Sequence, residues 1–419
     1  MNSNFKEILN KYKSEISHIC GSFLKWLAIA LCAGIFIGIA GALFHICLDK
    51  AAQLRTEHDF LIFLLPVAGI VIVALYHLCK MDDDKGTNQI ILGAQGIEGV
   101  SLKTAPLIFV ATFLTHLFGG SAGREGAALQ LGGSLISPLQ RLLHLSERDY
   151  GILIMCGMAA GFSSLFGTPV AAAVFAMEVA IVERTQYSAI VPCLISSVTA
   201  SVTARLIGCS PTAFTVNGIP TFSFDNIYSI FTVLLLGIGG AVAAVLFCRV
   251  LKAVKKLYVR YIPNIYLRAA VGGVIVIILT LIVGNRDYNG AGTEVIVRAF
   301  EGNAFWGAFL LKILFTALTL GAGFRGGEIV PTIFIGSTFG CFLGGLLQID
   351  PSFGAAVGTA AVFCGVTNCP LATIVICVEM FGGEGIVYYA LAAGVSYMLS
   401  GNDSLYSSQR QPKAIDGEG

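Results

Sequence analysis

Residues 119–132 read GGSAGREGAALQLG, and they place one acidic residue, Glu125, after a glycine-rich turn and at the start of an apolar segment. The first N–H groups of a helix have no intrahelical partner, and its dipole is positive at that end, so an anion binds there without a buried lysine. The carboxylate of Glu125 can fill the same site, and its protonation would release it. The pattern predicts a gate at which an anion competes with Glu125. Alternatively, Glu125 pairs with Arg124 or caps the helix.

A related stretch, residues 321–331, reads GAGFRGGEIVP. A glycine-rich turn again opens an apolar segment, and the backbone N–H groups of Ile329 and Val330 are expected to point toward the same anion. Glu328 is a second acid in this turn. It either relays protons or is a structural acid bonded to backbone amides of the turn.

Two further turns carry hydrogen-bond donors next to apolar segments. Gly86-Thr87-Asn88 offers a hydroxyl and an amide that suit an anion, although an ordinary helix N-cap has the same composition. Residues 403–408 read DSLYSS and follow the last apolar run. Tyr406 offers a phenol donor there, and its alternative role is that of an anchor at the membrane interface.

The composition of the chain is that of a membrane protein. Of its 419 residues, 56% are hydrophobic and 12% are charged, and the mean hydropathy is +0.81. These values exclude an ordinary soluble enzyme and predict one polytopic membrane domain. The formal net charge of +1 gives no indication of a nucleic-acid partner.

Cysteine and histidine spacing does not indicate a metal site. The 12 cysteines lack C-x-x-C spacing and are predicted to be reduced, buried thiols. The six histidines show no metal-ligand spacing, and His116 near the first motif is predicted to be packed and hydrogen-bonded. We expect no cofactor and no bound metal.

Hydrophobic segments of two lengths alternate along the chain. Those long enough to span a bilayer cover residues 26–48, 60–79, 188–207, 229–251 and 265–284. Shorter ones cover residues 104–118, 123–136, 150–166, 169–182, 304–320, 329–347, 353–365, 370–382 and 386–400. Short segments that meet at Gly, Pro, Ser and Asn predict discontinuous helices whose ends lie inside the membrane.

The segments suggest a division into four parts. These are an amphipathic cytoplasmic helix (residues 1–25), a first transmembrane half (26–210), a second half (211–408) and a short polar tail (409–419). Basic stretches at residues 6–25, 141–148 and 249–260 favour a cytoplasmic N-terminus. We therefore expect a multi-pass protein of the cell membrane.

The two halves share landmarks at a nearly constant displacement. Three pairs match in order: Gly86-Thr87 with Gly292-Thr293, Thr115 with Thr319, and Pro169 and Glu178 with Pro370 and Glu379. Such a duplication, with broken helices in each half, is typical of transporters whose substrate site lies where the halves meet.

These residues, in this order, resemble a known family. Gly123-Arg124-Glu125-Gly126, the turn of residues 326–331, the Pro169 and Pro370 repeats and Leu405-Tyr406-Ser407 are similar to motifs of the CLC superfamily of chloride channels and anion/proton antiporters. The resemblance implies an all-α inverted repeat of many tilted, discontinuous helices, and a homodimer with one pore per subunit. It also implies that Glu125 is the gating glutamate, that Tyr406 is the central tyrosine, and that Ile329 and Val330 are backbone anion ligands.

Three departures from the chloride-type pattern point to one branch of this superfamily. The chloride-coordinating turn is replaced by residues 86–90, which lack its serine and its proline. Val179 stands where the internal proton-transfer glutamate follows the acid matched by Glu178, and Glu328 replaces an apolar residue. These changes are similar to those of the bacterial fluoride/proton antiporters, and fluoride demands strong donors such as Asn88 and Tyr406.

The sequence therefore predicts a fluoride/proton antiporter that exports fluoride. The predicted residues for gating and proton coupling are Glu125 and Glu328. The predicted anion-binding residues are Gly86, Thr87, Asn88, Arg124, Gly126, Ile329, Val330 and Tyr406. A chloride channel or chloride/proton antiporter is the alternative, and a more distant one is an intramembrane enzyme that uses the two acids. No nucleophile elbow, H-E-x-x-H motif or nucleotide loop accompanies those acids, so we expect no enzyme.

Overall fold

The computed structural model describes residues 2–180, 187–222 and 227–409, with side chains from residue 16 onward except that of residue 18. Across these ranges the chain is almost entirely helical. An isolated antiparallel bridge joins Gly123 to Gly327, one residue from each half. The all-helical fold class predicted from the sequence is confirmed.

The helices of the first half are α1 (Asn2–Glu57), α2 (Leu65–Leu78), α3 (Thr87–Ala94), α4 (Thr104–Leu117), α5 (Glu125–Ile136), α6 (Leu139–Leu142), α7 (Glu147–Phe166), α8 (Pro169–Ala180) and α9 (Ile190–Ile207). Those of the second half are α10 (Ile227–Tyr261), α11 (Ile265–Val283), α12 (Thr293–Phe300), α13 (Ala308–Ala322), α14 (Ile329–Leu346), α15 (Pro351–Thr367), α16 (Pro370–Phe381) and α17 (Ile386–Ser400). Short 3₁₀ turns lie at Asp59–Leu64, Tyr187–Ala189 and Gly383–Gly385.

Seven helices within the described residues are long and apolar enough to cross a membrane. They include all five segments that the sequence predicted to be of spanning length. They also include α7 and α14, which the sequence predicted as shorter segments. At α7 the difference has a local cause, because the hydroxyl of Ser146 accepts a hydrogen bond from Asp149 N at 3.2 Å and starts the helix before the apolar run.

The first and last described segments of the chain join the membrane domain directly. Helix α1 runs from Asn2 to Glu57 without a break, so the N-terminal segment and the first span form one helix. The predicted amphipathic face of residues 1–25 lies mostly outside the described side chains. At the other end, Gln409 is buried and donates its amide to Thr367 O at 2.9 Å. The remainder of the predicted tail lies outside the described residues.

The N-termini of α8 and α16 exchange carboxylate caps. Oxygens of Glu178, near the end of α8, accept hydrogen bonds from Leu371 N at 3.1 Å and Ala372 N at 2.7 Å. Oxygens of Glu379, at the corresponding place in α16, accept from Val170 N at 3.1 Å and Ala171 N at 2.8 Å. Each half therefore caps a helix of the other, a reciprocal contact that agrees with the inverted repeat implied by the family resemblance.

The core lies around α7 and α15, which are buried along almost their whole length. Glycines let these helices approach their neighbours closely. A Cβ on Gly157 of α7 would lie 2.6 Å from the carbonyl oxygen of Gly132 in α5, and one on Gly354 of α15 would lie 2.5 Å from that of Gly340 in α14. This small-residue packing, repeated in both halves, holds α5 and α14 rigidly.

All twelve cysteines are free, and eight of them are buried, as predicted. The prediction of burial is wrong for the other four, Cys20, Cys32, Cys47 and Cys79. They lie on α1 and at the end of α2, on helix faces that other helices do not fully cover.

The exchanged caps predict matched losses of stability. Replacing either Glu178 or Glu379 with Gln removes the negative charge and turns one of the two N–H groups toward an amide NH₂ instead of an acceptor, which costs about 1–3 kcal/mol. We expect both variants to lower the thermal unfolding temperature in detergent by similar amounts. The exposed Glu384→Gln serves as the control and should not change it. A large loss in only one of the two variants would contradict the equivalence of the caps.

Candidate anion site

The N-termini of α5 and α14 meet at one point between the two halves. Gly123 N donates to Gly327 O at 2.6 Å, and Gly327 N donates to Gly123 O at 2.7 Å. A Cβ on Gly327 would lie 2.5 Å from Gly126 N, so the close approach requires glycine at this position. Two positive helix ends are thereby fixed beside each other, which suits an anion.

Glu125 is the first residue of α5 and is 1% exposed. Its Oε2 accepts a hydrogen bond from Arg124 N at 3.0 Å, and its Oε1 lies 3.5 Å from Arg124 Nε. The guanidinium of Arg124 also pairs with Asp49 on α1, where Nη1 lies 2.7 Å from Oδ1. The carboxylate thus lies at the positive end of its own helix, and Arg124 is shared between two acids.

Glu328 is the N-cap residue of α14; the residue is half-buried, and its Oε2 is buried. No residue in the described part of the chain hydrogen-bonds to its Oε2. That oxygen faces α5, because an ideal Cβ on Gly126 would lie 3.3 Å from it and 3.5 Å from Thr87 Oγ1. Ile329 and Val330, the next two residues, are buried and begin α14 with N–H groups that lack intrahelical partners.

Tyr406 lies in the segment that follows α17 and is 2% exposed. Its backbone N–H donates to Ser404 Oγ at 3.2 Å, and Leu405 N donates to Val366 O at 3.1 Å, which fixes the segment. The hydroxyl is buried and has no hydrogen-bond partner among the residues that the structure describes. It lies within electrostatic range of Glu328 and, less closely, of Glu125. The structure therefore brings the Tyr406 hydroxyl toward the two acids, and its role as an anion ligand stays a prediction.

The turn at residues 86–88 borders the same place. Gly86 has a positive φ of 61° and precedes α3, and Thr87 is buried beside Gly126. Asn88 is turned toward the C-terminal segment, since its Oδ1 accepts from Ser408 N at 3.0 Å. Its amide oxygen thus holds the segment that carries Tyr406, a contact that the sequence did not reveal.

Gln130 of α5 is a residue of the site that the sequence analysis missed. Its side chain is 3% exposed, and its Nε2 donates to Thr87 Oγ1 at 3.1 Å. Its Oε1 is buried without a partner in the ranges that the structure describes. The available signal was one amide within an otherwise apolar, glycine-rich helix, five residues after Glu125.

The second missed feature is an ion pair between the halves. Asp84 Oδ2 lies 3.2 Å from Arg325 Nη1 and accepts from Gly86 N at 3.3 Å, although the Asp84 side chain is fully buried. Arg325 stacks on Tyr76, with its guanidinium carbon 4.2 Å from the ring centroid. Burial raises the pKa of Asp84, and the charge of Arg325 opposes that shift. The run of acids at residues 82–84 had no pattern that would mark one of them as buried.

The described residues contain no candidate metal site, and His116 is packed in the interior. Within the described residues, no group of three His, Cys, Asp or Glu side chains could hold a metal ion. His116 is buried, and its Nδ1 donates to Thr112 O at 2.9 Å, as expected of a packed histidine.

Comparisons with known proteins agree with this geometry. A family model described as voltage gated chloride channel matches residues 68–401. The chain is 35% identical over 393 residues to a chloride/fluoride channel protein of Pseudomonas syringae pv. tomato, an alignment that covers 92% of this chain and 86% of the relative. It is 24% identical over 444 residues to an H⁺/Cl⁻ exchange transporter of Vibrio vulnificus, with 96% and 92% covered.

Two solved structures share the fold. The crystal structure of a CLC-type fluoride/proton antiporter superposes with a TM-score of 0.88 at 32% identity, covering 93% of this chain and 98% of that one. A slow cyanobacterial Cl⁻/H⁺ antiporter superposes with a TM-score of 0.78 at 23% identity, covering 91% and 96%.

The close contact at Gly126 predicts a loss of anion binding in Gly126→Ala. The added methyl would lie 3.0 Å from Gly327 Cα and 3.3 Å from Glu328 Oε2, and the backbone atom cannot move aside. If this overpacking weakens anion binding by about 1.4 kcal/mol or more, the anion affinity falls about tenfold or more. Isothermal titration calorimetry with fluoride measures the affinity. The control is Gly345→Ala in α14, where an added Cβ meets nothing within 4 Å. Equal affinities in the two variants would contradict the prediction.

Proposed function

This chain belongs to the voltage-gated chloride channel (CLC) family and is a halide transporter, and we propose that it exports fluoride in exchange for protons that move inward. The observation that carries the proposal is the convergence of two acids, each with a buried carboxylate oxygen, and a buried tyrosine hydroxyl on the paired N-termini of α5 and α14. The two acids, Glu125 and Glu328, belong to different halves and approach the same point.

Glu125 is proposed to act as the gate. In its ionised form the carboxylate occupies the positive end of α5, where an anion would otherwise bind. A proton removes the charge that holds it there, so a protonated Glu125 leaves the site to the anion. Each release of the gate therefore carries a proton, which couples the proton to the anion.

Glu328 is proposed to carry the inner proton step. Its Oε2 faces α5 without a hydrogen-bond partner among the described residues, which favours a proton-accepting role over that of a fixed structural acid. The neighbouring candidates do not serve, because Val179 is apolar and the carboxylate of Glu178 is bonded to two N–H groups of α16. Because ionisable groups inside a membrane domain are costly, their presence there indicates a function.

The donor set favours fluoride. Fluoride holds water tightly and needs strong donors to replace it. The site offers the Tyr406 hydroxyl, the Thr87 hydroxyl, and the backbone N–H groups of Gly126, Ile329 and Val330. Arg124 supplies positive charge beside Glu125, and the Asn88 oxygen holds the C-terminal segment that carries Tyr406. The similarity to a fluoride/proton antiporter at 32% identity supports the same choice.

We propose that the protein acts as a homodimer in the cell membrane with its N-terminus in the cytoplasm. The family resemblance supports the dimer, and the basic stretches at residues 6–25, 141–148 and 249–260 support the orientation. In this orientation the end of α1 near Glu57 lies on the outer side.

Anion selectivity tests the proposed substrate. Proteoliposomes loaded with fluoride or chloride are expected to release fluoride at least about tenfold faster, the ratio given by a selectivity free energy of about 1.4 kcal/mol. The external medium should become alkaline during fluoride release, because protons move inward. Ion-selective electrodes and a pH electrode follow both movements. Equal or faster chloride release would assign the chain to chloride transport instead.

Substitution of the two acids tests the proposed coupling. Glu125→Gln mimics a permanently protonated gate, so we expect anion flux without proton movement. Glu328→Gln should abolish anion-coupled proton movement, because the inner step has lost its acceptor. The exposed Glu301→Gln is the control and should transport both ions normally. Proton coupling that persists in Glu125→Gln would refute the gate, and unchanged coupling in Glu328→Gln would refute the inner step.

A further inference from the structure

A cavity of about 540 Å³ lies between the two halves, beside the start of α5. The end of α1 and Arg124 form one side of it, and the segment before α12 forms the other. Side-chain exposure falls from 57% at Asp49, on this wall, to 18% at Arg124 and 2% at Glu125. The cavity therefore leads from solvent to the proposed gate.

Arg55 differs from the other arginines of the cavity wall. Three arginines line the cavity, namely Arg55, Arg124 and Arg286. Arg124 Nη1 lies 2.7 Å from Asp49 Oδ1, and Arg286 Nη1 lies 2.7 Å from Asp59 Oδ1. Arg55 forms no ion pair with any acid in the part of the chain that the structure describes. Its positive charge is therefore left to the cavity.

Most of the N–H groups of Arg55 are also unused. Its Nη1 donates to His116 O at 3.3 Å, which is its one hydrogen bond to the described residues. Nε and Nη2 have no such partner and are not fully enclosed, so they are open to the cavity that Arg55 lines. A guanidinium stays protonated in proteins and carries five N–H donors. Arg55 can therefore give an anion charge-assisted hydrogen bonds.

The wall behind Arg55 is fixed to the turn before α5. The guanidinium packs on Gly290, where a Cβ would overlap Nη1. Lys312 is fully buried, and its Nζ donates to Gly290 O at 2.8 Å and to Tyr288 O at 3.3 Å. Gly290 N donates to Gly120 O at 3.0 Å. The N–H groups of Arg55 are thus held at a constant position relative to the gate.

The charged groups near Arg55 include two cations and one acid. Arg286 and Glu294 lie within electrostatic range on the same wall, and Lys312 lies within range behind it. Glu294 is exposed and has no ion pair in the described ranges, so its carboxylate competes with an anion for Arg55. An anion bound at Arg55 offsets the repulsion among the cations.

We propose that Arg55 forms an outer halide site, one step beyond Glu125. The inference rests on the proposed function, in which the anion leaves past the gate. The returning carboxylate of Glu125 displaces the anion from the start of α5. Arg124 already binds Asp49, so the displaced anion moves on to the unused N–H groups of Arg55. Because the cavity is open to solvent, binding there is weak and the anion then departs.

This site predicts that outer halide inhibits export. A halide that binds Arg55 from outside fills the place into which the outgoing anion must move. Export should therefore fall with outer fluoride by more than the smaller gradient accounts for. The concentration that halves the rate then reports the affinity of the Arg55 site.

The test uses right-side-out membrane vesicles that contain the protein and are loaded with fluoride. Fluoride-driven proton entry is followed with an internal pH dye while outer fluoride is varied. Arg55→Gln should raise the half-inhibiting concentration about fivefold, the effect of one unit charge at contact distance in a mostly aqueous dielectric. Arg55→Lys keeps the charge and should stay close to the wild type. Lys50→Gln is the control, because Lys50 is exposed on the same helix and does not line the cavity.

A second variant tests the site with the opposite sign. Glu294→Gln removes the competing carboxylate from an exposed position, so the half-inhibiting concentration should fall. It also serves if Arg55→Gln does not fold, and an unchanged value would then overturn the proposal. Slower transport in Arg55→Gln without a shift in the half-inhibiting concentration would show a structural role and overturn it as well. So would a shift found only in inverted vesicles.

The same titration with chloride separates this inference from the proposed function. Vesicles that export chloride as fast as fluoride would refute fluoride export, but a shift in Arg55→Gln measured with chloride would still support the halide site. Fluoride export with superimposable inhibition curves for the wild type and Arg55→Gln would support the proposed function and overturn the site.

Discussion

A helix that begins inside a membrane domain exposes N–H groups that water does not reach, and each such end needs an acceptor. At α8 and α16 the acceptors are permanent, because Glu379 and Glu178 are each bonded to two N–H groups of the other half. At α5 and α14 the acids stand at the start of their own helices. The carboxylate of Glu125 accepts a hydrogen bond from the backbone N–H of Arg124, in the turn that precedes α5. The same physical requirement is thus met by a bond between the halves at α8 and α16, and at α5 by an acid at the start of the same helix.

The acid lies one position earlier at the start of α14 than at the start of α5. In α5 the acid is the first helical residue, and in α14 the acid is the N-cap residue, so that Ile329 takes the position equivalent to Glu125. This shift turns Glu328 Oε2 toward the start of α5 rather than back onto its own turn. Pseudosymmetry therefore places two acids at one site without giving them the same environment. Two acids with different environments are what a transporter needs to take a proton from one side and release it on the other.

Local patterns predicted the parts of the site that depend on helix starts. Glycine-rich turns before apolar segments identified the starts of α5 and α14, and with them the positions of both acids. Contacts between distant segments could not be found in this way. Gln130 bonds to Thr87, and Asp84 is buried against Arg325, because the fold brings together residues that are far apart in sequence. The same limit applies to α1, whose packing against α9 and α7 also joins residues that are far apart in sequence.

An arginine precedes each glutamate of the site, Arg124 by one residue and Arg325 by three. A guanidinium bound to both carboxylate oxygens would hold the acid in place. Neither Arg124 nor Arg325 binds its glutamate in this way. Arg124 gives its 2.7 Å contact to Asp49 and leaves 3.5 Å to Glu125, while Arg325 is held by Asp84 and the ring of Tyr76. Both aspartates come from the first half, so one half supplies the restraint on each arginine. The positive charge remains close to the glutamates without locking either of them, a balance that the proposed exchange between anion and carboxylate requires.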